Sequence, residues 1–279
     1  MTATDIGRTN VSFTQAGEGE PVVLLHCSAS SGAQWAALCE SIRDRFRPVA
    51  PDLYGYGGTD PWPGRGSLTL ADEAALAASL LPVDARGVHI VGHSYGGAVA
   101  LRLASDHPEC VRTLTLIEPV AFHLLRSADP VARSLLEEIR TVSEVVSRAA
   151  LHGDYRGGME CFVDYWSGKG SWSQASERTR SNLCRRIGKV ALDFHALMRE
   201  RTPPETYARF EFPVLLVRGE RSPAPTRHVV ELLNALIPTA RMKTIPGAGH
   251  MSPLTHTDIV NAAIVEHLEA RRGTERRAA

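Results

Sequence analysis

Apolar residues follow two rhythms along this chain. Residues 22–26 (Val-Val-Leu-Leu-His) are apolar without alternation up to the histidine, the pattern of a parallel strand buried on both faces. Residues 48–52, 88–91, 111–117, 212–217 and 241–245 repeat that β character, and 11–15 alternates as an edge hairpin strand does. Between these runs the spacing turns helical. Trp35, Leu38, Ile42 and Phe46 share one face over 34–44, and further helices are predicted at 69–81, after Gly96, at 226–236 and at 258–271. Thr69 and Asp72 mark a helix start, and Pro82 a stop. Strand and helix in alternation predict a mostly parallel sheet covered on both faces. From 120 to 207 the strand rhythm is absent, and three helices are predicted at 130–151, 158–166 and 174–200. The expected organisation is a core over 1–119, a helical cap over 120–207, and the rest of the core over 208–279.

Charge and composition narrow the function classes. Thirty-one basic residues balance 31 acidic ones in 279, so no global field draws the chain to nucleic acid or to an anionic membrane. No run approaches the length of a membrane span, and residues 1–10 lack the apolar core of a signal peptide. The five cysteines are scattered without a C-x-x-C, which suggests neither a zinc site nor a disulfide framework and fits a reducing, cytoplasmic setting. His89, His107, His123, His152, His195, His228 and His256 show among themselves no H-x-x-x-H or H-E-x-x-H spacing, so no metal is expected. The basic stretch 271–277 reads as a solvated, frayed tail.

The candidate chemistry gathers at strand ends. The strand 88–91 runs into Gly92-His93-Ser94-Tyr95-Gly96-Gly97 and then directly into a helix. In that context a serine sits on a sharp turn with its hydroxyl exposed, and Gly92 and Gly96 let strand and helix approach where a Cβ would clash. His26, Asp52 and Glu118 also end strands, the side of a parallel sheet where ligands bind. Asp52 is expected to tie its own glycine-rich loop, 53–60, which lacks the spacing of a phosphate cradle. His93 is expected to pack. Trp166, Trp172, Tyr155 and Tyr165 are expected either to line a pocket or to form the small core of the helical segment. A last loop, Pro246-Gly247-Ala248-Gly249-His250, presents a further histidine.

Taken in order, His26 closing its strand, Pro51-Asp52-Leu53-Tyr54-Gly55-Tyr56-Gly57, the Gly92–Gly97 turn and Gly247-Ala248-Gly249-His250 resemble the α/β-hydrolase superfamily, in its capped, cofactor-free, esterase-like branch. The resemblance implies the α/β-hydrolase fold, Ser94 as nucleophile and His250 as its base. It implies an oxyanion hole from the backbone N–H groups of Ser28 and Tyr95. It also implies hydrolysis of a small-molecule acyl substrate with no cofactor. Two positions depart from the family pattern. Cys27 stands where glycine is common, which requires a backbone at negative φ. Ser222 stands in Gly219-Glu220-Arg221-Ser222, where the family places its acid. Some members carry the acid one core strand earlier, and Glu118 holds that place; Glu220 is the rival. Ser94 in place of an aspartate nucleophile argues against dehalogenase or epoxide hydrolase chemistry. Carbon–carbon hydrolysis of a diketone-like substrate, and a ligand-binding protein without turnover, stay open as alternatives, as does a homodimer.

Overall fold

Eight strands form one sheet: β1 (Thr2–Ile6), β2 (Thr9–Gln15), β3 (Glu20–Leu25), β4 (Phe46–Pro51), β5 (Val88–His93), β6 (Val111–Ile117), β7 (Val214–Gly219) and β8 (Ala240–Ile245). The structure is a computed structural model that describes residues 2–6, 9–81, 85–127 and 129–275. The strand order is β1-β2-β4-β3-β5-β6-β7-β8. Six neighbouring strands run parallel, and the hairpin β1–β2 joins them antiparallel along β4. The architecture is that of the α/β-hydrolase fold.

Unbroken apolar strands are required because both faces are covered. Val23 and Leu25 of β3 enter one layer with Leu114 and Leu116, under α2 (Leu70–Ala78), α3 (Tyr95–Asp106) and α10 (Ala224–Leu236). Val22 and Leu24 enter the opposite layer with Val91, Ile117 and Val217, under α1 (Ala36–Ile42) and α12 (Thr257–Glu275). Thr69 caps α2 and forms the reciprocal capping box with Asp72. Pro82 lies outside the described residues.

Between β6 and β7 the described residues form no strand, and the α-helices are α4 (Pro130–His152), α5 (Tyr155–Ser167), α6 (Ser171–Gln174), α7 (Glu177–Cys184), α8 (Ile187–Arg199) and α9 (Pro204–Tyr207). The single helix expected over 174–200 is in fact two. Arg185 and Arg186 form a tight turn, with the Arg186 N–H on the Leu183 carbonyl, and the Arg186 guanidinium donates to the Ala29 carbonyl of the core. That anchor redirects the chain so that α8 presents Val190, Phe194 and Leu197 to the core layer. At the C-terminus the expected fray is replaced by helix through Glu275, and residues 276–279 lie outside the described set. The edge hairpin expected around 11–15 is the β1–β2 pair, and the short helix α11 (Ser252–Thr255) adds an element that the periodicity does not show. Among the described residues no helix is long and apolar enough to cross a membrane.

Candidate active site

Ser94 sits on the turn between β5 and α3 at φ 56°, ψ −117°. That conformation is strained for a side-chain-bearing residue. It is held by the Ser94 N–H on the Ile117 carbonyl, 2.9 Å, while the Ser94 carbonyl accepts the N–H groups of Gly97 and Ala98. The two glycines act as the sequence implies. A Cβ on Gly92 would lie 2.3 Å from the Gly96 carbonyl oxygen, and one on Gly96 would lie 2.3 Å from that of Leu25. Among the described residues, the non-glycine positions at positive φ are Ala29, Ser94 and Glu118. All three belong to loops at the carboxyl ends of β3, β5 and β6. Strand order reverses between β3 and β5, and the site occupies that crevice.

His250 meets Ser94 from the loop after β8, with Nε2 2.8 Å from Ser94 Oγ. Its Nδ1 faces Glu118 Oε2 at 3.4 Å, at the long end of hydrogen bonding. With Nδ1–H donating to the carboxylate, Nε2 is left to accept the serine proton. Glu118 Oε1 accepts the Ser222 hydroxyl at 2.6 Å and the Gly219 amide. Burial pushes the Glu118 carboxyl up. The hydrogen bond and charge of His250, with the Ser222 and Gly219 donors, more than offset this and hold it below the ordinary carboxylate value. Ser222, at the position where an acid is expected, thus supplies a donor to the Glu118 carboxylate at the end of the neighbouring strand β6. Glu220 is turned away and accepts the Gly247 amide at 2.8 Å.

Two further histidines serve the frame. His93 donates from Nε2 to the His250 carbonyl (2.9 Å) and accepts the Gln34 amide at Nδ1 (3.1 Å), while Gln34 Oε1 accepts the Cys27 N–H (3.2 Å). This chain of donors joins the loop after β3 to the backbone of His250. Sequence reasoning assigned His93 to packing and did not single out Gln34; nothing in their spacing identifies the clamp. Burial, then the His250 charge, lowers His93 to about 3, so it stays neutral. His26 donates from Nδ1 to the Cys27 carbonyl and accepts the Leu53 N–H. Burial first of all lowers it to about 4. Asp52 ties its loop as expected, accepting the Gly32 and Gly58 amides. Cys27 is not among the positive-φ positions, and burial pushes its thiol up to about 12, which removes a thiolate from consideration.

The amides of Ser28 and Tyr95 donate to no other group among the described residues. Ser28 and Ser94, with Phe162 and Trp166, line two cavities. The smaller, about 20 Å³, is walled by Val120, Phe122, Phe162, Trp166, Asp193, Phe194 and Leu197. The larger, about 220 Å³, adds His250, Met251, Leu183 and Leu254. Trp166 belongs to both, and its ring lies 4.3 Å from that of His250. Trp172 is buried, Tyr165 donates to Glu138, and Tyr155 is exposed. Of the four aromatic residues weighed for this segment, Trp166 is the one that lines these cavities.

Residues 22–263 match the model of the alpha/beta hydrolase family. The 2-(acetamidomethylene)succinate hydrolase of Mesorhizobium japonicum is 25% identical over 288 residues, 95% of this chain and 94% of that protein. The soluble epoxide hydrolase of a Corynebacterium species is 33% identical over 109 residues, 39% of this chain and 37% of that protein; the chain thus spans little more than a third of that relative. A thermophilic esterase from Thermogutta terrifontis has a similar structure, with TM-score 0.72, 23% identity, and coverage of 96% of this chain and 97% of that one.

Proposed function

The chain belongs to the alpha/beta hydrolase family, and on that premise we propose that it is a serine hydrolase of small carboxylic esters or related acyl compounds. The observation that carries this reading is the 2.8 Å approach of His250 Nε2 to Ser94 Oγ, with Glu118 on the far side of the imidazole. Ser94 attacks the carbonyl carbon as its proton passes to His250. Glu118 keeps the imidazole in the accepting tautomer and stabilises the imidazolium. The amides of Ser28 and Tyr95, the latter at the N-terminus of α3, receive the oxyanion. The tetrahedral intermediate collapses, His250 hands its proton to the departing alkoxide, and an acyl-enzyme remains on Ser94. Water, deprotonated by His250, then releases the acid and restores the serine.

The two cavities support an assignment of the halves of the substrate. The leaving oxygen must face the proton on His250, so the alcohol portion belongs in the larger cavity, which His250 lines. The acyl portion then enters the smaller one. Its volume of about 20 Å³ admits a group no larger than one or two methyls. Asp193 on its wall disfavours an acyl group that carries its own carboxylate. Residues 120–207 act as the cap that supplies Phe162, Trp166, Phe194 and Leu197 to these walls and excludes water.

A fluorophosphonate probe tests the reading. The wild-type protein is expected to be labelled and Ser94→Ala to stay unlabelled. Absence of label on the folded wild type would overturn the serine hydrolase reading. In a panel of activated esters set beside a vinylogous diketone, turnover is expected for acetyl and propionyl esters.

A further inference from the structure

Below the site lies a buried cluster of charges that the mechanism above does not use. Lys189, on α8, has its side chain 8% exposed, and Glu73 of α2 and Asp193 of α8 are buried still more deeply. Lys189 Nζ donates to Glu73 Oε1 at 3.0 Å and to Asp193 Oδ1. It also stands over the Tyr56 and Tyr95 rings, 4.5 and 4.8 Å from their centroids.

The other contacts of the two carboxylates are what give the cluster a direction. Asp193 Oδ2 accepts the Ser28 hydroxyl at 2.6 Å and the Tyr56 hydroxyl at 2.6 Å. Glu73 accepts the Tyr95 hydroxyl at 3.3 Å and the Tyr54 N–H at 3.1 Å. The side chains of Ser28 and Tyr95 are therefore each tied to one carboxylate, and a single ammonium holds both carboxylates. These are the two residues whose amides receive the oxyanion in the reading above. They come from separate loops, after β3 and after β5, and no hydrogen bond joins one directly to the other among the described residues. Lys189 reaches them from the helical segment between β6 and β7. Burying such a cluster of polar groups is costly compared with packing hydrocarbon of the same volume, and its directional bonds fix geometry that hydrocarbon does not.

We propose that Lys189 is a positioning residue: through Asp193 and Glu73 it sets the spacing of the Ser28 and Tyr95 amides, so that the helical segment controls the assembly of the oxyanion hole. This rests on the serine hydrolase reading. It places the effect of Lys189 in the tetrahedral state, where negative charge develops on the carbonyl oxygen, and not in substrate binding.

The test compares Lys189→Met, Lys189→Arg, Ser28→Ala and Tyr95→Phe with the wild type. The last two remove one hydroxyl each and keep both amides. Lys189→Met is expected to lower kcat on a short activated ester about 10–100-fold while KM stays within about threefold, as misplaced donors do. A trifluoromethyl ketone, which Ser94 converts to a tetrahedral oxyanion adduct, should lose affinity by the same factor. The matching methyl ketone, which forms no such adduct, should not. Lys189→Arg should restore part of kcat. Ser28→Ala and Tyr95→Phe should each lower kcat about three- to tenfold, and less when Lys189 is already replaced. A folded Lys189→Met with wild-type kcat and ketone affinity overturns the proposal, as does a fall in kcat that the ketone does not follow. If Lys189→Met does not fold, wild-type kcat in both hydroxyl variants overturns it. Those outcomes with fluorophosphonate labelling intact leave the serine hydrolase reading standing; an unlabelled wild type removes both.

Discussion

At the scale of single residues, the proposed acid, Glu118, stands off the position where the family resemblance expects one, which Ser222 holds. Glu118 Oε1 is already bound by Ser222 and Gly219, so only Oε2 is left for His250. Glu118→Gln keeps the shape and removes the charge that favours the imidazolium. It is expected to lower kcat by about 10³–10⁴-fold and to lower the melting temperature modestly at neutral pH, because the depressed carboxylate contributes to stability there; near-normal turnover would remove Glu118 from the mechanism. Ser222 offers a stricter test, because its hydroxyl lies 2.6 Å from that carboxylate. Ser222→Asp alone places two buried carboxylates together, so one must take up a proton, and activity should fall. Combined with Glu118→Gln, the new aspartate stands where the family pattern has its acid. The double variant should recover activity at least about tenfold over Glu118→Gln alone. An additive loss would mean that Ser222 is not a position from which an acid can reach His250. Glu118 could be proposed as the acid from the sequence because it ends a strand and Ser222 stands out in its own motif. The bond between the two was not, since 104 residues separate them and only the pairing of β6 with β7 brings them together.

At the scale of elements, the central strands β3 and β7 read directly from the sequence because burial fills them with a near-continuous apolar run. The helical segment read less well. Its break at Arg185–Arg186 depends on a contact with Ala29 across the fold, and periodicity within α7 and α8 cannot register such a contact. Lys189 and Asp193 did leave a trace, as an i,i+4 charged pair beside the apolar stripe Val190, Phe194 and Leu197. That trace looks the same as a solvated helix edge until the core beneath it is known. The segment also lines the proposed acyl cavity through Phe162, Trp166, Phe194 and Leu197. Rates on activated esters should therefore fall steeply from acetyl to hexanoyl. Leu197→Ala, which enlarges the inner wall without touching His250, should shift the optimum to a longer acyl group, with hexanoyl kcat/KM rising about tenfold relative to acetyl. An unchanged chain-length profile in a folded variant would place the acyl group elsewhere.

At the scale of the whole molecule, the fold commits several histidines to a neutral interior. Burial first of all lowers His26 to about 4, His93 to about 3 and His267 to about 4, from 6.5 in each case. In the unfolded chain these imidazoles take up protons as pH falls below about 6.5; in the folded chain they do not until it falls to about 3–4. The unfolded state therefore binds more protons across that window, and stability rises with pH through it. Between about pH 6.5 and 5 the loss is roughly 2 kcal/mol for each fully buried histidine, a large share of a typical total of 5–15 kcal/mol. Glu118 acts in the same direction but lower: its depressed folded value makes its contribution present above the ordinary carboxylate value and lost as pH falls through the folded one. Melting temperature should accordingly be nearly flat from about pH 8 to 7 and fall by at least about 10 °C by pH 5. His26→Gln should lose about 2 kcal/mol less than the wild type over the same interval, because its amide can still donate to the Cys27 carbonyl and accept from the Leu53 N–H without a proton to refuse. If the variant and the wild type decline in parallel, His26 is not one of the groups through which acid opens the fold.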